Sequence, residues 1–184
     1  MSTSTVTEPR IWPGCLNCYN SGRLVGHWFG VTEVADVDLA AVHRGSGVDW
    51  RRAGCEEIWC LDIDDLPVHR EMGLIEAAQW GERFTEAGES WPALCAWVAS
   101  GDYIAEGDTD LPVLGEFEDR FCGQWPSFRD YAFDLADQIG LLHGLDPESA
   151  AVRYFGWDSW IRDLSADYST APAPDHSIYV FRSL

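Results

Sequence analysis

The sequence predicts an α+β fold, and three observations lead there. Short stretches alternate apolar and polar residues, the period of a strand. Longer stretches carry apolar residues at helical spacing. The third is composition: 184 residues, 46% hydrophobic, with 10 Trp, 8 Phe and 6 Tyr, suit one domain or a few small subdomains around a compact core.

The elements follow in chain order. Met1 to Pro9 is polar and lacks the apolar core of a signal peptide, so it reads as a short disordered tail on a cytoplasmic protein. Arg10–Cys18 and Arg23–Phe29 read as two strands joined at Tyr19-Asn20-Ser21-Gly22, where Asn and Gly accept positive φ. Asp36 is placed to cap a short helix ending near Arg44, with Gly45 just beyond it. Glu57–Ile63 predicts a third strand, and Pro67 closes this α+β unit. From Val68 to about Asp110 the pattern is helical: Leu74, Ala77, Ala78, Trp80 and Phe84 mark one helix, and Leu94, Trp97 and Val98 a second. Gly88 and Pro92 interrupt between them, and Gly101 opens an acidic loop. Ser127 caps a helix with a stripe of Phe128, Tyr131, Leu135, Ile139 and Leu142. Trp157, Trp160, Ile161, Leu164 and Tyr168 form another stripe, and His176–Arg182 alternates as a final strand.

Charge narrows the function. Against 31 acidic residues stand 12 basic ones, all arginine, for a net charge of -19. A nucleic-acid binder needs a basic footprint, and so does attachment to an anionic membrane; both are excluded as partners. A P-loop enzyme is excluded too, because the chain has no lysine. The charge is concentrated: residues 61–120 hold 15 acids and 3 arginines. A one-sign field raises self-repulsion, so it calls for a basic partner.

The acids recur at helical spacing. Glu82, Glu86 and Glu89 stand at i, i+4, i+7, as do Asp130, Asp134 and Asp137. Glu116, Glu118 and Asp119 form a third cluster, flanked by Asp62, Asp64, Asp65, Glu71 and Glu76 on one side and Asp102, Glu106, Asp108 and Asp110 nearer by. Like charges four apart on a helix cost a few tenths of a kcal/mol per pair. Solvated helix faces are one reading of these rows. The other is that they imitate phosphates. Duplex DNA carries one charge per about 1.7 Å, so 19 charges match about 32 Å of duplex and a dimer about 65 Å.

Longer motifs point the same way. Pro9-Arg10-Ile11-Trp12 with Cys18-Tyr19-Asn20-Ser21-Gly22-Arg23-Leu24-Val25-Gly26-His27-Trp28 resembles the opening of the ArdA antirestriction proteins. Gly115–Trp125 followed by Ser127–Ala132 resembles that family's FEEAYxGEW-x-S-x-E-D-Y-A stretch, and Tyr154–Leu164 its Y-x-D-W/Y-x-x-F-A-R-D-L segment. Tyr179–Arg182 is similar to its closing strand. Two departures stand out. Asp62–Leu66 keeps the acids of a D-[YF]-E-G-like turn but loses its glycine, and Arg129 stands where the family often has an acid.

The resemblance implies an elongated row of three small subdomains: 10–66, N-terminal α+β; 67–110, central, acidic and helical; 111–184, C-terminal α+β with the dimer interface. It implies a cytoplasmic homodimer encoded by mobile elements, without catalysis or cofactor. Such a protein mimics DNA in the groove of type I restriction–modification enzymes, blocking restriction and often modification. The acids named above, from Asp62 to Asp137, would be its phosphate surrogates.

Other constellations in the sequence compete with this one. Cys15-x-x-Cys18 and Cys55-x4-Cys60 have pairs suited to a four-thiolate zinc site. One pair adjoins a hairpin and the other runs into a strand, so buried free thiols and no metal are expected. The five histidines are scattered and no G-x-S-x-G occurs, which leaves a hydrolase without its parts. An acidic glycan-binding or glycan-cleaving domain using Trp stacking is the alternative from another class, with core and dimer interface as the plainer role of the tryptophans. A generic acidic partner of some other basic protein is the third.

Overall fold

A computed structural model describes residues 6–183. The first five positions of the expected tail lie outside the described residues. Glu8 and Pro9, also expected in the tail, are instead anchored. The Pro9 carbonyl accepts from the Val31 N–H at 2.9 Å, and the Glu8 carboxylate accepts from the Thr32 N–H at 3.1 Å.

The fold is α+β, with two antiparallel sheets. The chain divides into two compact units: one holds the chain up to Cys95 with Ala105–Leu114, the other Ala96–Ile104 with the chain from Gly115 on. The helix after Pro67 packs on the N-terminal sheet.

The first unit is built from β1 (Arg10–Cys15), α1 (Leu16–Asn20), β2 (Phe29–Gly30), α2 (Leu39–Val42), β3 (Ile58–Asp64), β4 (Met72–Gly73) and α3 (Leu74–Ala87), with the start of α4 (Trp91–Ser100). The strand order is β2-β1-β3-β4. Proline is tolerated inside a sheet at edges and bulges, and Pro13 sits at one. The register between β1 and β3 shifts between Trp12 and Pro13, leaving Leu61 as the extra residue.

Two expected strands are shorter than the alternation suggested. β1 ends at Cys15 because that residue caps α1, its Sγ accepting from the Cys18 N–H. The strand expected at Arg23–Phe29 reduces to Phe29–Gly30 and a single bridge between Gly14 and Gly26. The cap expected at Asp36 is taken by Asp38, whose carboxylate accepts from the Ala41 N–H at 2.7 Å; Asp36 ends a 3-10 turn instead. Gly45 follows at φ +73, as a helix terminus requires.

α3 buries Ala77, Trp80 and Gly81. Gly81 is needed for the approach: a Cβ there would collide with the carbonyl oxygen of Val31. The expected interruption is present, since Gly88 ends α3 at φ +52 and Pro92 enters the first turn of α4, where its missing N–H costs nothing.

The second unit contains α5 (Leu114–Arg120), β5 (Phe121–Trp125), α6 (Phe128–Gln138), α7 (Ala150–Arg153), α8 (Trp157–Leu164), β6 (Tyr168–Pro172) and β7 (Ile178–Arg182). Its sheet order is β5-β7-β6, and Tyr179, Val180 and Phe181 of the central strand are buried. Trp97, Phe117, Phe121 and Phe181 form its aromatic core, with ring centroids 5.2 to 6.4 Å apart along successive contacts.

Ser127 caps α6 as expected, but Ile139 and Leu142 lie beyond its end. The helix stops in a Schellman motif at Gly140, φ +64: Gly140 N–H donates to Asp137 and Leu141 N–H to Ala136. Ile139 is consequently 59% exposed. Tyr168, expected in the stripe of α8, takes extended geometry and opens β6 after a 3-10 turn.

Candidate acidic interaction surface

The expected surrogate carboxylates share one property: none is buried. Asp62 and Asp64 project from β3, Asp65 follows it, and Glu71 precedes β4. Glu82 and Glu86 lie on α3, and Glu89 in the 3-10 turn after it. Asp102, Glu106, Asp108 and Asp110 fall in the loop between α4 and α5. Glu116, Glu118 and Asp119 lie on α5, and Asp130, Asp134 and Asp137 on α6. Glu76, Asp110, Glu116 and Asp134 are half-buried; the rest are exposed.

Arginine neutralises only part of this charge. Arg70 bridges Glu76, on the first turn of α3, and Asp110, 2.7 Å away. Its hydrogen bonds to these two acids hold the guanidinium above its ordinary pKa. Arg83 reaches Glu86 at 3.3 Å and Glu106 at 2.5 Å. Arg120 pairs with Glu116 at 3.1 Å, an i, i+4 contact along α5. Asp62, Asp64, Asp65, Glu71, Glu82, Glu89, Asp102, Asp108, Glu118, Asp119, Asp130, Asp134 and Asp137 have no ion pair among the described residues.

Some of these acids are drawn together. Asp62 and Glu71 line a shallow hollow of about 250 Å³ with His69 and Arg70. They also border a second, of about 240 Å³, walled by Trp12, Tyr19, Leu24 and Trp28. Glu82 and Glu86 line a hollow of about 360 Å³ with Val31, Thr32 and Gly81. On α6, Asp130 accepts from the Ser127 hydroxyl and Asp134 from Gln138 Nε2, both at 2.5 Å.

The tryptophans divide by place. Trp80, Trp91 and Trp97 are buried, as core residues are; Trp28 and Trp59 stand on the surface at 39% and 38% exposure. Cys60 is buried on β3, apart from Cys15, Cys18 and Cys55, which gather around His43. No helix among the described residues is long and apolar enough to cross a membrane.

Fold and surface together define an α+β protein whose distinguishing feature is exposed carboxylate that arginine leaves uncompensated. The family described as antirestriction protein (ArdA) matches residues 11–176. The chain belongs to that family. No curated protein matches it. Membership carries an antirestriction role, and with it interaction with restriction–modification enzymes.

Proposed function

We propose that the protein mimics B-form DNA and occupies the DNA-binding groove of type I restriction–modification enzymes. It blocks restriction without catalysis or cofactor, and blocks modification where both activities use one groove. The observation that carries this reading is the set of carboxylates between Asp62 and Asp137 that no arginine pairs, all of them exposed except half-buried Asp134.

Spacing supports it. Helical acids four apart rise about 6 Å, close to two phosphate steps of one DNA strand at about 3.4 Å each. Asp130 with Asp134, and Glu82 with Glu86, have that separation in sequence. A negative surface accelerates encounter with a basic groove, and ions screen it; inhibition therefore weakens with salt.

The protein acts as a cytoplasmic homodimer encoded by a mobile element. Support for the dimer comes from α8, which has Trp157, Trp160, Ile161 and Leu164 on one side yet buries no residue. In the same unit Phe133, Ile139, Leu145 and Tyr154 are exposed, and apolar exposure of this kind marks interaction surfaces.

The test is competition. A type I methyltransferase bound to labelled duplex DNA is titrated with the protein at two salt concentrations. Displacement that weakens at higher salt is the expected result. Absence of displacement from type I enzymes of several hosts, at protein well above DNA, overturns the proposal. Saturable binding to an oligosaccharide would then favour a glycan site at the hollow of Trp12, Trp28, Asp62 and Glu71.

A further inference from the structure

We propose that Cys15, Cys18, Cys55 and His43 form a structural site for one zinc ion. The site is independent of the antirestriction role and replaces the expectation of free thiols at these positions.

The four donor atoms lie within 4.8 Å of one another. All four residues are buried, at 0%, 3%, 3% and 6% exposure. Cys18 Sγ is 3.9 Å from Cys55 Sγ and 3.6 Å from His43 Nε2. Tetrahedral zinc, with bonds of about 2.3 Å to sulfur and about 2.0–2.1 Å to nitrogen, sets its ligands about 3.8 Å apart for S···S and about 3.5 Å for S···N. The observed separations lie close to both. A disulfide needs about 2.05 Å, far below the sulfur separation here.

The surroundings favour coordination. His43 Nδ1 is 2.8 Å from the Leu39 carbonyl, which only accepts. The ring proton is therefore on Nδ1, and the Nε2 lone pair faces the sulfurs, the arrangement of metal-ligating histidines. Cys15 Sγ accepts from the Cys18 N–H at 3.4 Å, and Cys55 Sγ from Asn17 Nδ2 at 3.7 Å. Such donors stabilise thiolate charge. Three thiolates and an imidazole suit a borderline-soft ion, and four protein ligands leave no open position, so the site is structural rather than catalytic. Coordination replaces three S–H bonds by zinc–sulfur bonds and sends the protons to solvent.

The site also has a structural task. The segment 44–54 between His43 and Cys55 is exposed apart from half-buried Val48 and Trp50. Gly45, Gly47 and Gly54 in it adopt positive φ. Little apolar burial holds this segment, and the ion would clasp its two ends to the Cys15–Cys18 turn.

The test uses the full-length, reduced protein. Metal content is measured after removal of unbound ions, and metal-depleted protein is titrated with Zn²⁺ or Co²⁺ alone. One zinc per chain, thiolate-to-cobalt charge-transfer absorption and a higher unfolding midpoint with metal are expected. Cys55→Ser and His43→Ala lose the stoichiometric ion. Cys60→Ser, a buried thiol outside the group, keeps it. His43→Cys keeps it as well and alters the cobalt spectrum. If Cys55→Ser does not fold, the wild-type titration decides. No retained zinc together with no charge-transfer band in the wild type overturns the proposal, as does equal metal content in wild type and folded Cys55→Ser.

Discussion

Arg129 Nη1 lies 2.7 Å from Asp158 Oδ1 and joins α6 to α8 across an open surface. The two side chains are 54% and 88% exposed, so solvent screens the pair. Pairs of this kind contribute about 0–1 kcal/mol. The guanidinium also covers the Phe133 ring at 5.1 Å. Arg129→Gln should shift stability by less than about 1 kcal/mol in urea unfolding. It frees Asp158 and makes the surface more negative, so displacement of DNA should be as strong or stronger. A weaker inhibitor would show that Arg129 itself meets the partner.

Replacing Asp130, Asp134 and Asp137 together by Asn tests the α6 row. Displacement should need several-fold more protein, and its salt dependence should become shallower. Stability should hold or rise, because repulsion worth a few tenths of a kcal/mol per pair is relieved. An unchanged salt slope would remove α6 from the binding surface.

The run Asp62–Leu66, which lacks the glycine of the resembling turn, bends at Asp65 with φ +62. The left-handed region costs an L-residue about 1–2 kcal/mol, less for a short polar side chain. Glycine avoids that cost but loses about 0.5–1 kcal/mol through its freer unfolded chain. Asp65→Gly should therefore raise stability by up to about 1 kcal/mol while weakening inhibition. Unchanged inhibition would mean that this carboxylate is not part of the surface.

Burial pushes the thiols of Cys60 and Cys95 up to about 12. The native state therefore holds its protons to higher pH than the unfolded chain. The contribution is complete below the ordinary thiol range and is lost as pH rises toward 12. Burial raises the Tyr131 hydroxyl in the same sense. Cys95→Ala should lose less stability between pH 8 and about pH 10.5 than the wild type, by up to about 1.4 kcal/mol per pH unit. Parallel urea midpoints for the two proteins would contradict this.

Much of this fold was legible in the sequence wherever one local signal acted alone. Ile58–Asp64 carried strand alternation, Ser127 a capping hydroxyl, and Gly45 and Gly101 helix ends; each was found within a residue or two. Legibility failed where a contact overrode the pattern. A cysteine cap at Cys15 is not a preferred N-cap type, so α1 went unseen. The stripe through Ile139 ran past a stop set by Gly140. The acids were readable because charge excess survives folding, but their division into paired and unpaired was not. Arg70 meets a residue 40 positions away, a separation that periodicity cannot reveal. The approach of His43 to three of the thiols is hidden for a related reason. β3 advances about 3.3 Å per residue and carries Cys60 away from Cys55, while His43 arrives from α2.

The loop around Asp108 draws a consequence from those arginine clasps. Glu106 and Asp110 are held by Arg83 and Arg70, and the Glu106 N–H donates to the Leu111 carbonyl at 2.8 Å. Asp108, between them, has no such tie among the described residues. The neutralised acids thus act as stakes that keep a charged tip in place before any partner arrives. If the proposed DNA-mimic surface includes this tip, docking requires little further loss of loop freedom, and that part of the entropic cost of binding is met during folding instead.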